Sequence, residues 1–491
     1  MASHFVDFPV GDDFRAIFTP AVAVKNDGWE ALSLENLAAQ HHSHRIVAVR
    51  IIAAVQTLLF GGVNFVVFMW CGLLMWLLVF GLLGAKEGWF VSVAPALTAA
   101  LVWFQPQAAS NLQVAMQAVQ NIGVVLLAVM AFGLRARATL HTIVGAWLCA
   151  LSAWFTAGNG MLVPLILVLW SARERSWRQA AVGTLVIAGA GALYFRGFEN
   201  PEGQAYGFDV LQLAGNFFVM LGSVFRFGTL PISAALTGGA LLATSALWLL
   251  WVRFRERENF TVAVLFFVFG SAAMASLARL GWGIEYMAQG RYRIYAVILL
   301  ALVLAEAVRR LAAKPVSSAL AAGFALLFSL ASWWQFAPEV VNAARTAKAS
   351  AMSCHLGVPA LFSESEETLR SGLNRLATAV EAGIYSPPMQ SEARQFAQAQ
   401  HETLPASGIR TEYSQAVAGW VVRPQSGKAG EYLLCQTPGS SGFRVAVRAT
   451  TRPALTRMLA KNTSEDTENL YLMPRSVEVG AESAMEFFAI R

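Results

Sequence analysis

Residues 63–84 read VNFVVFMWCGLLMWLLVFGLLG and contain no Asp, Glu, Lys or Arg. A helix needs about 20 apolar residues to cross the hydrocarbon core of a bilayer, so this run predicts a transmembrane helix. The apolar run before it, residues 46–60, is separated from it by Gly61-Gly62 and predicts an interfacial or slanted helix. The fold must therefore be derived from the rules that govern membrane proteins.

Similar apolar runs recur along the chain. Hydrophobic residues make up 56% of the 491 residues and charged residues only 13%, against about 25% charged residues in an ordinary soluble protein. A chain of soluble domains is therefore excluded. The further runs lie at residues 89–105, 113–134, 139–156, 161–172, 179–195, 231–252, 260–278, 292–308 and 316–336, which gives ten predicted crossings. An amphipathic stretch at 209–226 is expected to lie along the membrane surface.

The net charge of +6 is unevenly distributed: residues 1–45 carry −3, residues 46–337 carry +9 and residues 338–491 are neutral. Cytoplasmic loops of membrane proteins are enriched in Lys and Arg. The basic residues that fall in alternate loops are Lys86, Arg135, Arg137, Arg173, Arg175, Arg178, Arg253, Arg255, Arg257, Arg309, Arg310 and Lys314. These loops are predicted to be cytoplasmic, and both chain ends extracytoplasmic. A basic stripe interleaved with aromatic residues is absent from the sequence, which argues against nucleic acid as a partner.

The acidic N-terminal segment, residues 1–45, has no signal peptide before it that would explain its export. We therefore expect a further transmembrane helix ahead of residue 1, which would give eleven crossings and a cytoplasmic start.

The composition becomes that of a soluble domain after Pro338. Residues 364–403 have helical spacing, and the segments beginning at Gly419, Glu431 and Phe443 predict short strands. Cys354 and Cys435 lie in this region, as a disulfide or as two thiols. The predicted fold is thus an all-α polytopic membrane protein with a small C-terminal α+β extracytoplasmic domain. Its parts are an external loop with an interfacial segment (1–45), the transmembrane domain (46–337) and the C-terminal domain (338–491).

Two adjacent carboxylates, Asp12 and Asp13, lie just outside the predicted membrane. Neighbouring carboxylates repel each other, so one of them has a raised pKa or is held by a cation. This pair suits a general base for a sugar hydroxyl, or a ligand pair for a divalent metal. A solvated Asp-Asp turn is the alternative interpretation.

Three histidines occur within the run Gln40-His41-His42-Ser43-His44-Arg45. If the run is helical, consecutive side chains point around the helix and cannot all reach one ion, so we assign it no metal ligands. We assign His44 and Arg45 to an anion such as a phosphate headgroup. Plain anchoring at the interface is the alternative.

A later external loop, residues 279–295, contains three arginines: Arg279, Arg291 and Arg293. Arginine binds phosphate through a planar fork and remains charged when partly desolvated. Since external arginine opposes the positive-inside tendency, we assign these residues to a phosphate of a polyprenyl-phosphate donor. Topological anchoring is the alternative. The polar neighbours assigned to substrate binding are Glu285, Gln289 and Tyr292.

Gly-rich phosphate loops, GxGxxG, CxxC, HExxH and GxSxG motifs are all absent from the sequence. Nucleotide-dependent, zinc-hydrolase and serine-hydrolase chemistries of the soluble type are therefore disfavoured. Without a nucleotide site, a synthetic reaction would need a pre-activated, lipid-linked donor, and we assign no other cofactor.

The layout of Gly11-Asp12-Asp13-Phe14, His44-Arg45 and Arg279…Arg291-Tyr292 around some ten crossings resembles the multi-spanning bacterial glycosyltransferases of the GT-C fold. These include the relatives that modify lipopolysaccharide O-antigen with polyprenyl-phosphate sugars. The resemblance covers about residues 8–335.

The resemblance implies that Asp12 or Asp13 is the catalytic base and that Arg279, Arg291 or Arg293 holds the donor phosphate. It implies an inverting displacement, with transfer to a cell-envelope glycan acceptor on the periplasmic side of the bacterial inner membrane. The resemblance does not extend to the C-terminal domain, which we expect to position the acceptor glycan.

Other functions remain open from the sequence. A flippase or transporter of lipid-linked sugars would require charges deep in the membrane and repeated halves. An O-antigen polymerase or ligase would use the same donors. A non-catalytic assembly subunit would leave the acidic pair and the arginine loop without a role.

Overall fold

The helices of the computed structural model follow the apolar runs of the sequence. The structure describes residues 2–199, 209–228, 230–312, 314–357, 360–361 and 365–398, and short strands between 401 and 490. The helices are α1 (Asp13–Ala16), α2 (Phe18–Asp27), α3 (Leu34–Leu37), α4 (Val47–Phe60), α5 (Phe65–Glu87), α6 (Val93–Trp103), α7 (Ala109–Leu112), α8 (Ala115–Arg135), α9 (Leu140–Trp154), α10 (Leu162–Arg173), α11 (Trp177–Phe195), α12 (Val210–Gly222), α13 (Ile232–Arg255), α14 (Asn259–Ala278), α15 (Arg293–Arg310), α16 (Pro315–His355), α17 (Glu366–Glu381) and α18 (Gln390–Gln398).

Each of the ten predicted runs contains a helix, and α4 lies where the interfacial or slanted helix is predicted. Among the described residues, five helices are long and apolar enough to cross a membrane: α5, α8, α13, α14 and α16. The helices in the other runs are shorter or less apolar. Only 33% of an apolar 18-residue stretch of α5 is buried, and large side chains such as Leu74 and Leu78 are exposed on this helix. Such a surface is consistent with a bilayer as its surroundings and with an all-α polytopic protein.

Small residues allow pairs of these helices to approach closely. Gly72 of α5 lies against Ala118 of α8, where a Cβ atom on residue 72 would come within 2.6 Å of the Ala118 methyl carbon. Gly239 of α13 lies directly against the Phe218 carbonyl of α12. Backbone approach at small residues is how membrane helices gain packing energy without a hydrophobic driving force.

Buried charges join three helices at one end of the bundle. Arg253, near the end of α13, contacts Glu87 of α5 at 3.2 Å and Glu306 of α15 at 2.9 Å. All three side chains are less than 10% exposed. Arg310 also pairs with Glu306. We call this group the Arg253 network.

The opposite end of the bundle is covered by both ends of the chain. A hydrophobic cluster at this end combines Phe8, Phe14 and Phe18 with Leu369 of α17 and Tyr385. The Tyr385 hydroxyl donates to the Asp7 carbonyl at 2.6 Å. The predicted external loop 1–45 is therefore folded into short helices, and its core is shared with the segment that follows α16.

The last long helix does not end where the composition changes. Helix α16 is 41 residues long and continues through Pro338 to His355, so the predicted boundary between residues 337 and 338 lies inside it. At 1.5 Å per residue the helix is about 60 Å long, roughly twice the thickness of the hydrocarbon core. The composition therefore changes at a position where the helix continues.

Short strands occur in the C-terminal segment and in one hairpin near the N-terminus. The strands are β1 (Gln40–His41), β2 (His44–Arg45), β3 (His401–Leu404), β4 (Ile409–Ser414), β5 (Gly419–Pro424), β6 (Tyr432–Gln436), β7 (Arg444–Arg448), β8 (Tyr471–Met473) and β9 (Glu486–Ile490). The last seven form an antiparallel sheet in the order β3-β9-β6-β7-β8-β5-β4.

The predicted strands correspond to β5, β6 and β7, and α17 and α18 lie in the stretch predicted to be helical. The Val445 N–H donates to the Ser353 hydroxyl at 3.0 Å, which attaches the sheet to the end of α16. Cys354 and Cys435, both described, each carry a thiol and are not joined by a disulfide. The sequence left a disulfide or two thiols as alternatives, and the structure has two thiols.

Candidate functional site

The two adjacent aspartates have different surroundings. Asp13 is fully buried, and its carboxylate accepts backbone N–H groups from Met116 at 2.7 Å, Ala115 at 3.2 Å and Val10 at 3.1 Å. Two of these donors belong to the first turn of α8, where N–H groups have no partner within the helix. Burial raises the pKa of Asp13 to about 7, and the three N–H donors act in the opposite direction. Asp13 is therefore a cap for a long apolar helix, and its oxygens are occupied.

Asp12 is only partly buried and points to the histidine segment. Its Oδ1 atom lies 3.6 Å from Nε2 of His42. The neighbouring His42 side chain lowers the pKa of Asp12, burial opposes this effect, and the charge of Arg291 is among the further causes that lower it. Asp12 is thus the carboxylate of the predicted pair that is ionised and accessible.

The histidine segment is a β-hairpin, and the helical geometry assumed for it was wrong. β1 and β2 pair antiparallel with His41 opposite His44, and His42 occupies the turn with φ 49°. A two-residue turn redirects the chain, so the geometry of a helix does not apply to neighbouring side chains here. His41 and His42 each offer a ring nitrogen that lies within 4.8 Å of the other and of an Asp12 oxygen.

His41 is only 2% exposed. Within the described part of the chain, neither of its ring nitrogens has a hydrogen-bond partner. Burial is the main reason that its pKa is lowered to about 3. A neutral imidazole with unused nitrogens is therefore placed beside the Asp12 carboxylate.

Arg45 holds the hairpin in place. Its guanidinium donates to the carbonyls of Tyr194 at 2.6 Å, Arg196 at 2.7 Å and Ala38. Carbonyl oxygens thus occupy the donors that the sequence analysis assigned to a phosphate. Arg45 positions the hairpin and is not included in the proposed anion site.

His44 lies on the other strand and packs against Gly158, between α9 and α10. A Cβ atom on residue 158 would come within 2.8 Å of Nδ1 of His44. Burial, followed by the charge of Arg279, lowers the pKa of His44 to about 4. The hairpin and the arginine loop are therefore neighbours in space.

The arginine loop consists of short 3-10 turns over Leu280–Trp282, Ile284–Ala288 and Gly290–Tyr292. The Arg279 guanidinium lies 4.6 Å from the ring centre of Trp282, and that of Arg291 lies 4.8 Å from the ring centre of Tyr286. Aromatic rings hold guanidinium groups in a fixed plane while leaving N–H donors at their edges. Among the residues covered by the structure, the buried Nε atom of Arg291 has no hydrogen-bond partner.

Other predicted site residues in this loop have protein partners. Gln289 accepts from Arg291 at 2.9 Å, and the Tyr292 ring centre lies 5.4 Å from the Arg291 guanidinium. Both therefore position Arg291. Glu285 is ion-paired with Arg226, which directs its carboxylate to that arginine.

Arg293 lies apart from the Asp12 group and faces a cavity of about 370 Å³. Its guanidinium is 4.5 Å from the ring centre of Phe336 of α16. The cavity walls are mostly apolar, and they include Gly11 and Gly290, the neighbours of Asp12 and Arg291 in the chain. The cavity therefore adjoins the charged group.

The structure thus gathers Asp12, His41, His42, His44, Arg279 and Arg291 at the end of the bundle opposite the Arg253 network. Asp13, Arg45 and Glu285 are engaged elsewhere, and a metal held jointly by Asp12 and Asp13 does not fit the N–H bonds of Asp13. Neither His41 nor His42 is predicted from the sequence to be a site residue, and the structure places both beside Asp12. The available signal was the density of histidine, but a His-Ser turn is not among the common hairpin turns.

Comparison of the chain with protein-family models, with curated proteins and with solved structures finds no match.

Proposed function

We propose that this protein is a membrane glycosyltransferase that moves a sugar from a polyprenyl-phosphate donor to a cell-envelope glycan. One geometric observation carries the proposal: Gly11 and Gly290, the chain neighbours of Asp12 and Arg291, line the same cavity. The charge of Arg291 also contributes to lowering the pKa of Asp12. These residues are 279 positions apart in the sequence, at the end of the bundle where α8 begins and α15 starts.

The arrangement supports an inverting displacement. Asp12 accepts the proton of an acceptor hydroxyl while the hydroxyl oxygen forms a bond to the anomeric carbon of the sugar. The bond from that carbon to the phosphate oxygen breaks, and its electron pair remains on the phosphate. Arg279 and Arg291 stabilise the phosphate as its negative charge increases. A lipid-linked donor supplies the energy, since the sequence has no nucleotide-binding motif.

The neighbouring cavity fits the lipid part of the donor. Apolar side chains such as Phe8, Met69 and Val114 line it, together with His4, Arg293 and Glu339. Transfer of isoprenoid units from water to such an apolar surface is favourable. In this proposal, the chain next to the phosphate enters the cavity while the phosphate stays between Arg279 and Arg291.

We assign the protein to the bacterial inner membrane, with the Asp12 end on the periplasmic side. The opposite end carries Arg253, Arg309 and Arg310, which the positive-inside tendency places in the cytoplasm. A polyprenyl-phosphate sugar presented on the outer leaflet and a glycan acceptor would then reach the same site.

The test is mass spectrometry of the surface glycan from a strain that lacks the gene and is complemented with variants. The wild type should restore the mass of the transferred sugar. Asp12→Asn should reduce transfer by about 10²–10⁴-fold, because a general base contributes that much. Asp27→Asn, at an exposed aspartate, is the matched control. Unchanged transfer by Asp12→Asn at equal protein level would refute the assignment.

A measurement of donor binding distinguishes the role of the arginines from that of the general base. Arg291→Ala should weaken binding of a polyprenyl-phosphate sugar to the purified protein by about 10–100-fold, since hydrogen bonds to charged groups are lost. Arg137→Ala, an exposed arginine at the far end of α8, should leave donor binding unchanged. An equal loss in both variants would argue against a phosphate site at Arg291.

The same experiments distinguish the alternatives. A flippase or transporter would move the lipid-linked sugar across proteoliposomes without a covalent change. A polymerase or ligase would attach a glycan chain, which adds many sugar masses in place of one.

A further inference from the structure

Asp12, His41 and His42 form a group with the spacing of metal ligands. One Asp12 oxygen and one ring nitrogen from each histidine lie within 4.8 Å of one another, and no other such group is found among the residues that the structure describes. Three protein ligands with an open fourth position are the arrangement of catalytic zinc sites.

The buried histidine supplies a second, independent observation. His41 is 2% exposed, and neither ring nitrogen has a hydrogen-bond partner among the described residues. Buried polar atoms in native proteins nearly always have a partner, so such an exception calls for a bound ion, a water molecule or a catalytic role. The His41 ring lies 4.7 Å from the His42 ring, centre to centre, at an interplanar angle of 83°.

One of the three ligand–ligand distances is already close to the length required around a bound ion. Nε2 of His42 and Oδ1 of Asp12 are 3.6 Å apart. Ligand atoms about 2.0–2.1 Å from a tetrahedral ion are separated by about 3.4 Å, so this edge is almost of the required length. The remaining edges, at most 4.8 Å, would have to shorten by up to about 1.4 Å.

The supports of the three ligands are fixed before an ion arrives. Arg45 ties the hairpin to three backbone carbonyls, and Gln40 donates to the Glu199 carbonyl at 2.6 Å. Asp12 is followed by Asp13, which is bonded to the start of α8. Ligands mounted on such supports lose little conformational entropy on binding.

We propose that Asp12, His41 and His42 bind one divalent transition-metal ion of the Zn²⁺ class. Two imidazoles and one carboxylate suit Zn²⁺ and its neighbours in the first transition row, whereas Mg²⁺ and Ca²⁺ prefer oxygen ligands. The site does not depend on the proposed glycosyl transfer, because binding is measured without donor or acceptor. If both hold, one oxygen of Asp12 binds the ion and the other faces the acceptor hydroxyl.

The test is a Zn²⁺ titration of the full-length protein in detergent, purified without a histidine tag and treated with a chelator. Competition with a chromophoric chelator gives affinity and stoichiometry, and Mg²⁺ serves as the comparison ion. The wild type should bind one Zn²⁺ per chain and show no comparable affinity for Mg²⁺.

His42→Asn is the principal variant, because Asn tolerates the positive φ of the turn. It should weaken Zn²⁺ binding by at least about 100-fold, since even changes beyond the ligands themselves cost 10–100-fold. Asp12→Ala should do the same. His141→Ala, at an exposed histidine in α9, is the matched control and should bind as the wild type does.

His41→Gln tests the buried ligand, with the thermal midpoint of the metal-free protein as the check on folding. Loss of Zn²⁺ binding with an unchanged midpoint supports the site. The proposal is overturned if the wild type binds less than one Zn²⁺, or if His42→Asn and Asp12→Ala retain the wild-type affinity. Glycan analysis is a separate experiment, so its failure leaves the metal result intact.

Discussion

The carboxylate of Asp13 accepts the backbone N–H of Met116 at 2.7 Å, across 103 residues of sequence. This contact fastens the N-terminal segment to the first turn of α8. Asp12, the preceding residue, then faces the hairpin and its histidines. One aspartate thus fixes the position, and the other provides the chemistry.

Removal of the Asp13 cap should destabilise the protein. Asp13→Ala leaves three N–H groups without their acceptor, two of them at a helix terminus, and should cost about 2–4 kcal/mol. The thermal midpoint in detergent measures the loss. Asp12→Ala, at a half-exposed ion pair, should cost less than about 1 kcal/mol. Equal losses in the two variants would contradict the division of roles.

The same residue should make stability depend on pH. The pKa of Asp13 is raised to about 7 in the folded protein, against 3.8 as its ordinary value. Between these values the folded state holds a proton that the unfolded state has released, so the free energy of unfolding falls as pH rises from about 4 to 7. The contribution is at most about 4 kcal/mol.

Asp13→Asn has no proton to release at this position and should lack this part of the slope. Thermal midpoints of wild type and Asp13→Asn between pH 4 and 8 give the difference, in which other titrating groups such as His41 and Asp7 cancel. A wild-type protein that loses stability relative to Asp13→Asn on acidification would show that the three N–H donors outweigh burial.

Gly158 should be intolerant of a side chain because of His44. The added Cβ of Gly158→Ala would lie 2.8 Å from Nδ1 of His44, so the buried ring must shift. We expect a loss of about 1–3 kcal/mol in stability and a reduced transfer rate. Gly191→Ala is the control, because its Cβ meets Trp154 at an ordinary 3.5 Å. A fully active and stable Gly158→Ala variant would show that the position of His44 does not matter.

Much of the fold could be predicted from the sequence because lipid imposes a simple rule on helix length and apolarity. Each predicted run contains a helix, and the arginine loop lies next to the acidic segment. The passage of α16 through Pro338 could not be predicted, since hydropathy reports where a helix leaves an apolar layer and not where it ends.

The division of labour within the site depends on contacts between distant segments. Nothing local in Asp12-Asp13 indicates that only Asp13 meets the start of α8. The hairpin at residues 40–45 is held by carbonyls of Tyr194 and Arg196, about 150 residues further along the chain. Local secondary-structure propensity contains no information on such partners. The sequence therefore does not show that the histidine segment is a hairpin and not a helix.

The Arg253 network should contribute to stability and not to the site. Arg253→Ala leaves the buried carboxylate of Glu87 without its arginine, while Glu306 keeps Arg309 and Arg310. Loss of one member of a buried pair costs about 3–5 kcal/mol. Arg255→Ala, an exposed neighbour stacked on Trp251, should change the thermal midpoint little. Zn²⁺ binding by the folded fraction of Arg253→Ala should match that of the wild type, because the two ends of the bundle are far apart. Helix α5 has 23 residues, so its first and last residues are separated by about 35 Å. If Arg253→Ala keeps its midpoint but loses Zn²⁺ binding, the two ends of the bundle are coupled, and the structural charges are not separate from the functional ones.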